Sequence, residues 1–225
     1  MEAIFSSPFF GITLSILAYQ VGLLCKKKWQ LDIVNPLVIA VTIIIMVLKI
    51  FDISFEQYNA GGAYISLMLA PVTAALGVAI YQQWQTLKDN WLPIVVGVVV
   101  GSLSSVWSIR ILSQMFGLQP QLAVSLLAKS VTTPIAVELS QQLGGIEAVT
   151  VAGVIFTGIF GAVFSPLLIK LLKIKNPIAR GVAIGTSSHG LGTSKALEIG
   201  KVEGAMSGIA MGLAGVVTVI IILLL

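Results

Sequence analysis

The chain has 225 residues, of which 57% are hydrophobic and only 10% charged, against roughly 25% charged residues in an average soluble domain. That much apolar surface cannot be hidden inside a soluble fold of this size, so the chain reads as one integral membrane domain. Its net charge of +4 gathers at the ends of apolar segments, as the positive-inside bias requires, and is no nucleic-acid footprint.

Segments of about 20 apolar residues, enough to cross a core of about 30 Å, fall at 8–24, 34–50, 62–81, 91–112, 147–169 and 204–225. The first is followed by Lys26, Lys27 and Lys28 rather than by a small-residue cleavage site, so it is expected to stay as a helix with its end in the cytoplasm. Cys25 stands alone beside these lysines, which excludes a disulfide framework and a CxxC or His/Cys metal set; no metal or cofactor is expected. The connection at 51–61, with Asp52 and Glu56, suits the outside, and 82–90, with Lys88, the inside. After the span at 147–169 come Lys170, Lys173, Lys175 and Arg180, so that span runs inward. Only Lys49 and Arg110 are then left outside, with Lys129 at membrane depth.

Two apolar segments are interrupted. Lys-Ser-Val-Thr-Thr-Pro-Ile-Ala-Val-Glu occupies 129–138, and Gly-Thr-Ser-Ser-His-Gly-Leu-Gly-Thr-Ser-Lys-Ala-Leu-Glu occupies 185–198. Hydroxyls, helix breakers and charges are costly in hydrocarbon, so these runs mark a substrate path through discontinuous helices. The charge topology makes 121–143 a re-entrant hairpin with arms of about 15 Å turning at Ser130 to Pro134, and makes 178–200 a second one entering from the inside. Aligning Glu138 on Glu198 matches Gly153, Gly158 and Gly161 with Gly208, Gly212 and Gly215. A hairpin plus a span is an odd number of crossings, so two such units in tandem have opposite orientations. The expected fold is therefore an all-α polytopic membrane protein, about six transmembrane helices plus two re-entrant or broken hairpins in an inverted repeat. The N-terminal helices lie at 1–112 and the repeat carrying the site at 121–225. Leu-Ala-Pro-Val-Thr-Ala-Ala-Leu at 69–76 is either a degenerate third copy or an ordinary proline kink.

The candidate substrate-binding residues are Lys129, Ser130, Thr132, Thr133 and Pro134 of the first break, and Thr186, Ser187, Ser188, His189, Gly190, Gly192, Thr193 and Lys195 of the second. Free N–H groups at the start of a half-helix, with threonine and serine hydroxyls, suit a carboxylate. Lys129 and Lys195 either supply a full positive charge or snorkel and pair with Glu138 and Glu198. Those glutamates either couple transport to protons or neutralise a lysine. His189, the single histidine, is either a switch near neutral pH or a buried hydrogen-bonding residue. The glycines near 185–192 follow no strand and precede no Gly-Lys-Ser/Thr, which excludes a phosphate loop. The residue types of a hydrolase triad occur without a nucleophile elbow, so no enzyme is expected.

Lys-Ser-Val-Thr-Thr-Pro-Ile-Ala at 129–136, Gly-Thr-Ser-Ser-His-Gly-Leu-Gly-Thr at 185–193, and Gly-Gly with Leu-Ala-Pro-Val-Thr-Ala-Ala-Leu between 61 and 76 resemble the LrgB/CidB membrane proteins over most of the chain. Ala70-Pro71-Val72 stands where that family's pattern has Gly-Pro-Ala. The resemblance implies either of two activities. One is antiholin-like regulation of murein hydrolase export and cell lysis; the other is carriage of small monocarboxylates of the glycolate, glycerate, lactate or pyruvate class, as in the similar C-terminal half of the plastid glycolate/glycerate translocator. It also implies a multi-pass place in the cell inner (plasma) membrane. The partners it implies are a small organic anion, the bilayer, and an LrgA/CidA-type membrane subunit or a homo-oligomer.

Overall fold

The computed structural model describes residues 5–29, 34–68, 71, 78 and 81–224, all helices, turns and bends among the described residues. The chain divides into two compact units, Met1–Ala75 and Leu76–Leu225. In the first, α1 (Pro8–Trp29), α2 (Pro36–Ile50) and α3 (Phe55–Ser66) pack together. Each start has a local cause. Asn35 caps α2, its side chain accepting from the Leu37 N–H at 2.9 Å with Pro36 in the first turn. Ser54 and Gln57 form a reciprocal capping box on α3. Helices α1 and α3 cross at Gly11 and Gly61, where a Cβ on Gly61 would lie 2.8 Å from the Gly11 Cα, and Ser15 Oγ meets the Tyr58 hydroxyl at 2.8 Å beside the crossing.

Among the described residues, four helices are long and apolar enough to span a membrane: α1, and in the second unit α5 (Trp91–Met115), α8 (Glu147–Leu171) and α10 (Lys201–Leu223). The segment expected to span at 34–50 is a helix of 15 residues, about 22 Å long at 1.5 Å per residue and short of a full crossing by itself. Half of the expected span at 62–81, including Thr73 of the Pro71/Thr73 break, lies outside the described residues. Where 51–61 reads as a loop in sequence, its second half is the start of α3.

The second unit adds α4 (Trp84–Asp89), α6 (Pro120–Leu127), α7 (Thr133–Gln142) and α9 (Pro177–Ile199). Helix α5 ends in a Schellman turn: Gly117, at φ 62°, donates to the Gln114 carbonyl, and Leu118 donates to that of Ser113. Helix α7 ends the same way at Gly144, φ 74°. Between the two turns α6 and α7 form a hairpin. At its base, Ser125 Oγ accepts from the Ile146 N–H at 2.7 Å, and Leu143 shares a cleft with Pro120, Ala123 and Arg110. At its tip, Ser130 Oγ lies 2.8 Å from Ser105 Oγ, ten residues and about 15 Å back from the end of α5. The segment thus enters and leaves at one end of the unit and turns beside the middle part of α5.

Helix α9 is broken at His189, whose φ of 42° and ψ of −138° are not helical. Its first arm starts beside the start of α10, where Arg180 pairs with Glu203 at 3.4 Å. Its second arm returns to the same place, with Thr193 Oγ1 2.9 Å from Ser207 Oγ and Leu197 pressed on Gly204. The turn itself reaches the level of Met211, near the Gly190 backbone. This is also a half-depth hairpin, and it comes from the opposite end: Val182 and Thr186 sit on Gly97 and Gly101 in the first half of α5, while the first hairpin rests on its second half. Two hairpins of opposite direction, each followed by a long helix, are the architecture that the odd crossing number of each repeat requires. Each has its own apolar support. Val182 packs with Ile94, Val98, Met206, Ala210 and Ala214. Ala128, Val131, Ala136 and Leu139 pack with Val106, Val154 and Ile222.

Candidate functional site

The two tips meet across α5 and α8. Glycines on α8 seat them: a Cβ on Gly153 would touch Leu126 of the first hairpin at 2.8 Å, one on Gly158 would lie 2.6 Å from the His189 ring, and one on Gly161 would overlap the Ser188 side chain. The glycine spacing singled out in the sequence thus brings broken backbone close to a straight helix. Between the tips lies an open groove of about 880 Å³. Helix α5 contributes Gly97, Gly101, Ser104, Ser105 and Ser108; the first tip contributes Lys129 and Ser130; α8 contributes Phe156, Thr157, Phe160 and Gly161; the second hairpin contributes Thr186, Ser187 and Ser188. The groove continues to Leu168 and Ala183, toward the end of the unit that bears Lys170, Lys173 and Lys175.

Among the described residues, Lys129 is the one charged side chain lining the groove. It is half-buried, and its Nζ donates to Ser130 Oγ at 3.3 Å. No carboxylate of the described residues lines the groove. Glu138 is exposed and accepts from Gln142 Nε2 at 2.8 Å, Glu147 accepts from Gln141 Nε2 at 3.0 Å, Glu198 pairs with Lys195 at 3.0 Å, and Glu203 pairs with Arg180. Among the described residues, Lys129 thus faces the groove's hydroxyls with no carboxylate lining the same groove, an arrangement whose chemistry suits a small anion.

The structure therefore brings together Lys129, Ser130, Thr186, Ser187 and Ser188 from the sequence-derived set. It sends the others elsewhere. Thr132 caps α7 through its backbone only, and Thr133 begins that helix; neither lines the groove. Pro134 and Glu138 face a separate shallow cleft with Gln142 and Val219. Lys195 is tied up by Glu198 one helical turn away. Gly190 and Gly192 shape the turn: a Cβ on Gly192 would lie 2.5 Å from the Ser188 Cβ, so its absence lets the two arms of α9 approach. Thr193 Oγ1 donates to the His189 carbonyl at 2.8 Å and bonds Ser207, pinning the returning arm. His189 is buried and does not line the groove; its Nε2–H donates to the Val154 carbonyl at 2.9 Å. It acts as an anchor between tip and α8, holding the proton on Nε2 because a carbonyl only accepts.

Sequence reading passed over the α5 wall. Gly97, Gly101, Ser104 and Ser108 recur at i, i+4, i+7 and i+11, one face of a helix, and four serines at 102–108 within an apolar span were the available signal.

The LrgB-like family model matches residues 15–225. The chain belongs to the LrgB-like family. Similar relatives are the antiholin-like protein LrgB of Bacillus mycoides (strain KBAB4) and those of Bacillus cereus (strain B4264) and Bacillus anthracis (strain CDC 684 / NRRL 3495). Each is 40% identical over 217 residues, which covers 96% of this chain and 94% of the relative. No solved structure matches the chain, so the hairpin geometry of this LrgB-like protein stands on its own contacts. The family membership and the apolar helices make it a multi-pass membrane protein.

Proposed function

We propose that this LrgB-like protein is a carrier for small monocarboxylates of the glycolate, glycerate, lactate or pyruvate class, acting by alternating access to the groove between its two hairpin tips. The observation that supports it is Lys129, the one charged side chain among the described residues that line a hydroxyl-rich groove, with no carboxylate lining it alongside. An assembly module has no use for such a site, whereas a carrier of monoanions needs one charge and several donors. Lys129 and Ser130 take the carboxylate; the hydroxyls of Ser187 and Ser188 and the α5 serines complete the polar lining. His189, Thr193, Gly190 and Gly192 position the second tip. Glu138, Lys195 and Glu198 remain outside the substrate contacts.

The groove runs toward the basic end of the unit, which the positive-inside bias places in the cytoplasm, so this conformation offers the site to the inside of a cell's plasma membrane. A small LrgA/CidA-type membrane protein or a second copy is the expected companion. A second reading, regulation of a holin-like partner without transport, is favoured by the name antiholin-like that the relatives carry. Uptake of labelled glycolate and pyruvate into proteoliposomes separates the two. Lys129→Met, which keeps the length of the side chain and removes its charge, abolishes uptake without lowering the amount of folded protein. Unchanged uptake in that variant refutes the carrier site, and no uptake by the wild type leaves the regulatory reading.

A further inference from the structure

The groove wall contains a hydroxyl that packing does not explain. Thr186 is 5% exposed, lines the groove, and its Oγ1 has no hydrogen-bond partner. Its methyl is seated: Cγ2 lies 2.7 Å from where a Cβ on residue 101 would stand, a space left open by Gly101. Other hydroxyls of the groove have partners, Ser187 and Ser188 each other at 2.9 Å and Ser130 the Ser105 hydroxyl at 2.8 Å. Two further buried orphan hydroxyls among the described residues, Ser102 and Ser165, do not line the groove. A buried hydroxyl without a partner destabilises a fold, so a position needing only this shape would be better filled by valine.

We infer that Thr186 is a specificity-determining residue: its hydroxyl binds an oxygen carried on the substrate beyond the carboxylate, while Lys129 holds the carboxylate itself. This rests on the groove being the substrate site. The site then distinguishes an acid that carries such an oxygen from its plain analogue, because the analogue leaves Thr186 orphaned in the complex. Glycolate and acetate differ by that one hydroxyl.

The test compares the two acids on wild type, Thr186→Val and Thr186→Ser, by binding to the purified protein and by competition for uptake into proteoliposomes. Valine keeps the methyl on Gly101 and removes the hydroxyl; serine keeps the hydroxyl. The expected result is a fall of about tenfold in the preference for glycolate over acetate in Thr186→Val, carried by glycolate alone, with Thr186→Ser close to wild type. The Tm of Thr186→Val equals or exceeds that of the wild type, which a hydroxyl with a structural role would not allow. An unchanged glycolate-to-acetate ratio overturns the inference and leaves the carrier reading intact. A lowered Tm with both acids weakened equally also overturns it. A wild-type protein that binds neither acid overturns this inference, and one that also fails to take up pyruvate overturns the carrier reading with it.

Discussion

His189 provides a direct test of the broken helix. Its backbone, φ 42° and ψ −138°, lies in a region that costs a side-chain-bearing residue about 1–3 kcal/mol and glycine little. Consider His189→Ala and His189→Gly together. Both remove the ring that packs on Gly158 and the 2.9 Å bond to the Val154 carbonyl, whose loss costs about 0.5–1.5 kcal/mol, so both variants are less stable than wild type. Those losses are common to the pair and cancel in the comparison. What remains is the backbone. In an uninterrupted helix alanine is more stable than glycine by about 1 kcal/mol; at positive φ the order reverses, with glycine ahead by about 1–2 kcal/mol. The sign of the difference therefore reports the break itself, separated from the continuous alternative by about 2–3 kcal/mol. Thermal and denaturant unfolding of the purified variants in lipid nanodiscs measures it. An alanine variant as stable as the glycine variant, or more so, would refute a re-entrant turn at 189.

Cysteine labelling in a Cys25→Ala background reads the hairpins in the membrane: Pro120→Cys and Ile146→Cys react from one side, and Lys175→Cys and Lys201→Cys from the other. Labelling of the first pair from opposite sides makes 121–143 a crossing helix and ends the half-depth model. Gly161→Ala drives a methyl into the Ser188 side chain, overpacking the second tip at a cost of about 1–3 kcal/mol; an unfolding midpoint equal to wild type shows that the tip is not seated there.

The membrane class, the two breaks and the small-residue stripe on α8 were legible because each is a local property of the chain. Apolar runs of about 20 residues, Pro134 after two threonines, and glycines spaced along 153–161 have their physical effect whatever surrounds them. The breaks even located the tips, since a mid-membrane turn needs residues that tolerate lost helical bonds. Rotation about a helix is less local. Lys129 and Glu138 lie on the same hairpin, yet one lines the groove and the other is exposed on a different face; sequence spacing alone does not say which face a partner element covers. Sequence leaves Lys195 either a substrate cation or the partner of a glutamate, and the fold sets it 3.0 Å from Glu198.

His189 shows the same division. Its solitary place among serines and glycines marked a break, and the break is there, but whether its imidazole meets substrate or protein depends on how close α8 comes, which Gly158 decides from thirty-one residues away in sequence. The serine stripe of α5 became part of the site only because both hairpins lean on that helix. What the sequence determined by itself is where the chain enters hydrocarbon and where its helices fail, because those follow from hydrophobicity and backbone hydrogen bonding within one segment. Which polar groups share one groove, and which charge of the described residues lines it, was decided by tertiary packing, because it depends on the approach of segments far apart in the chain.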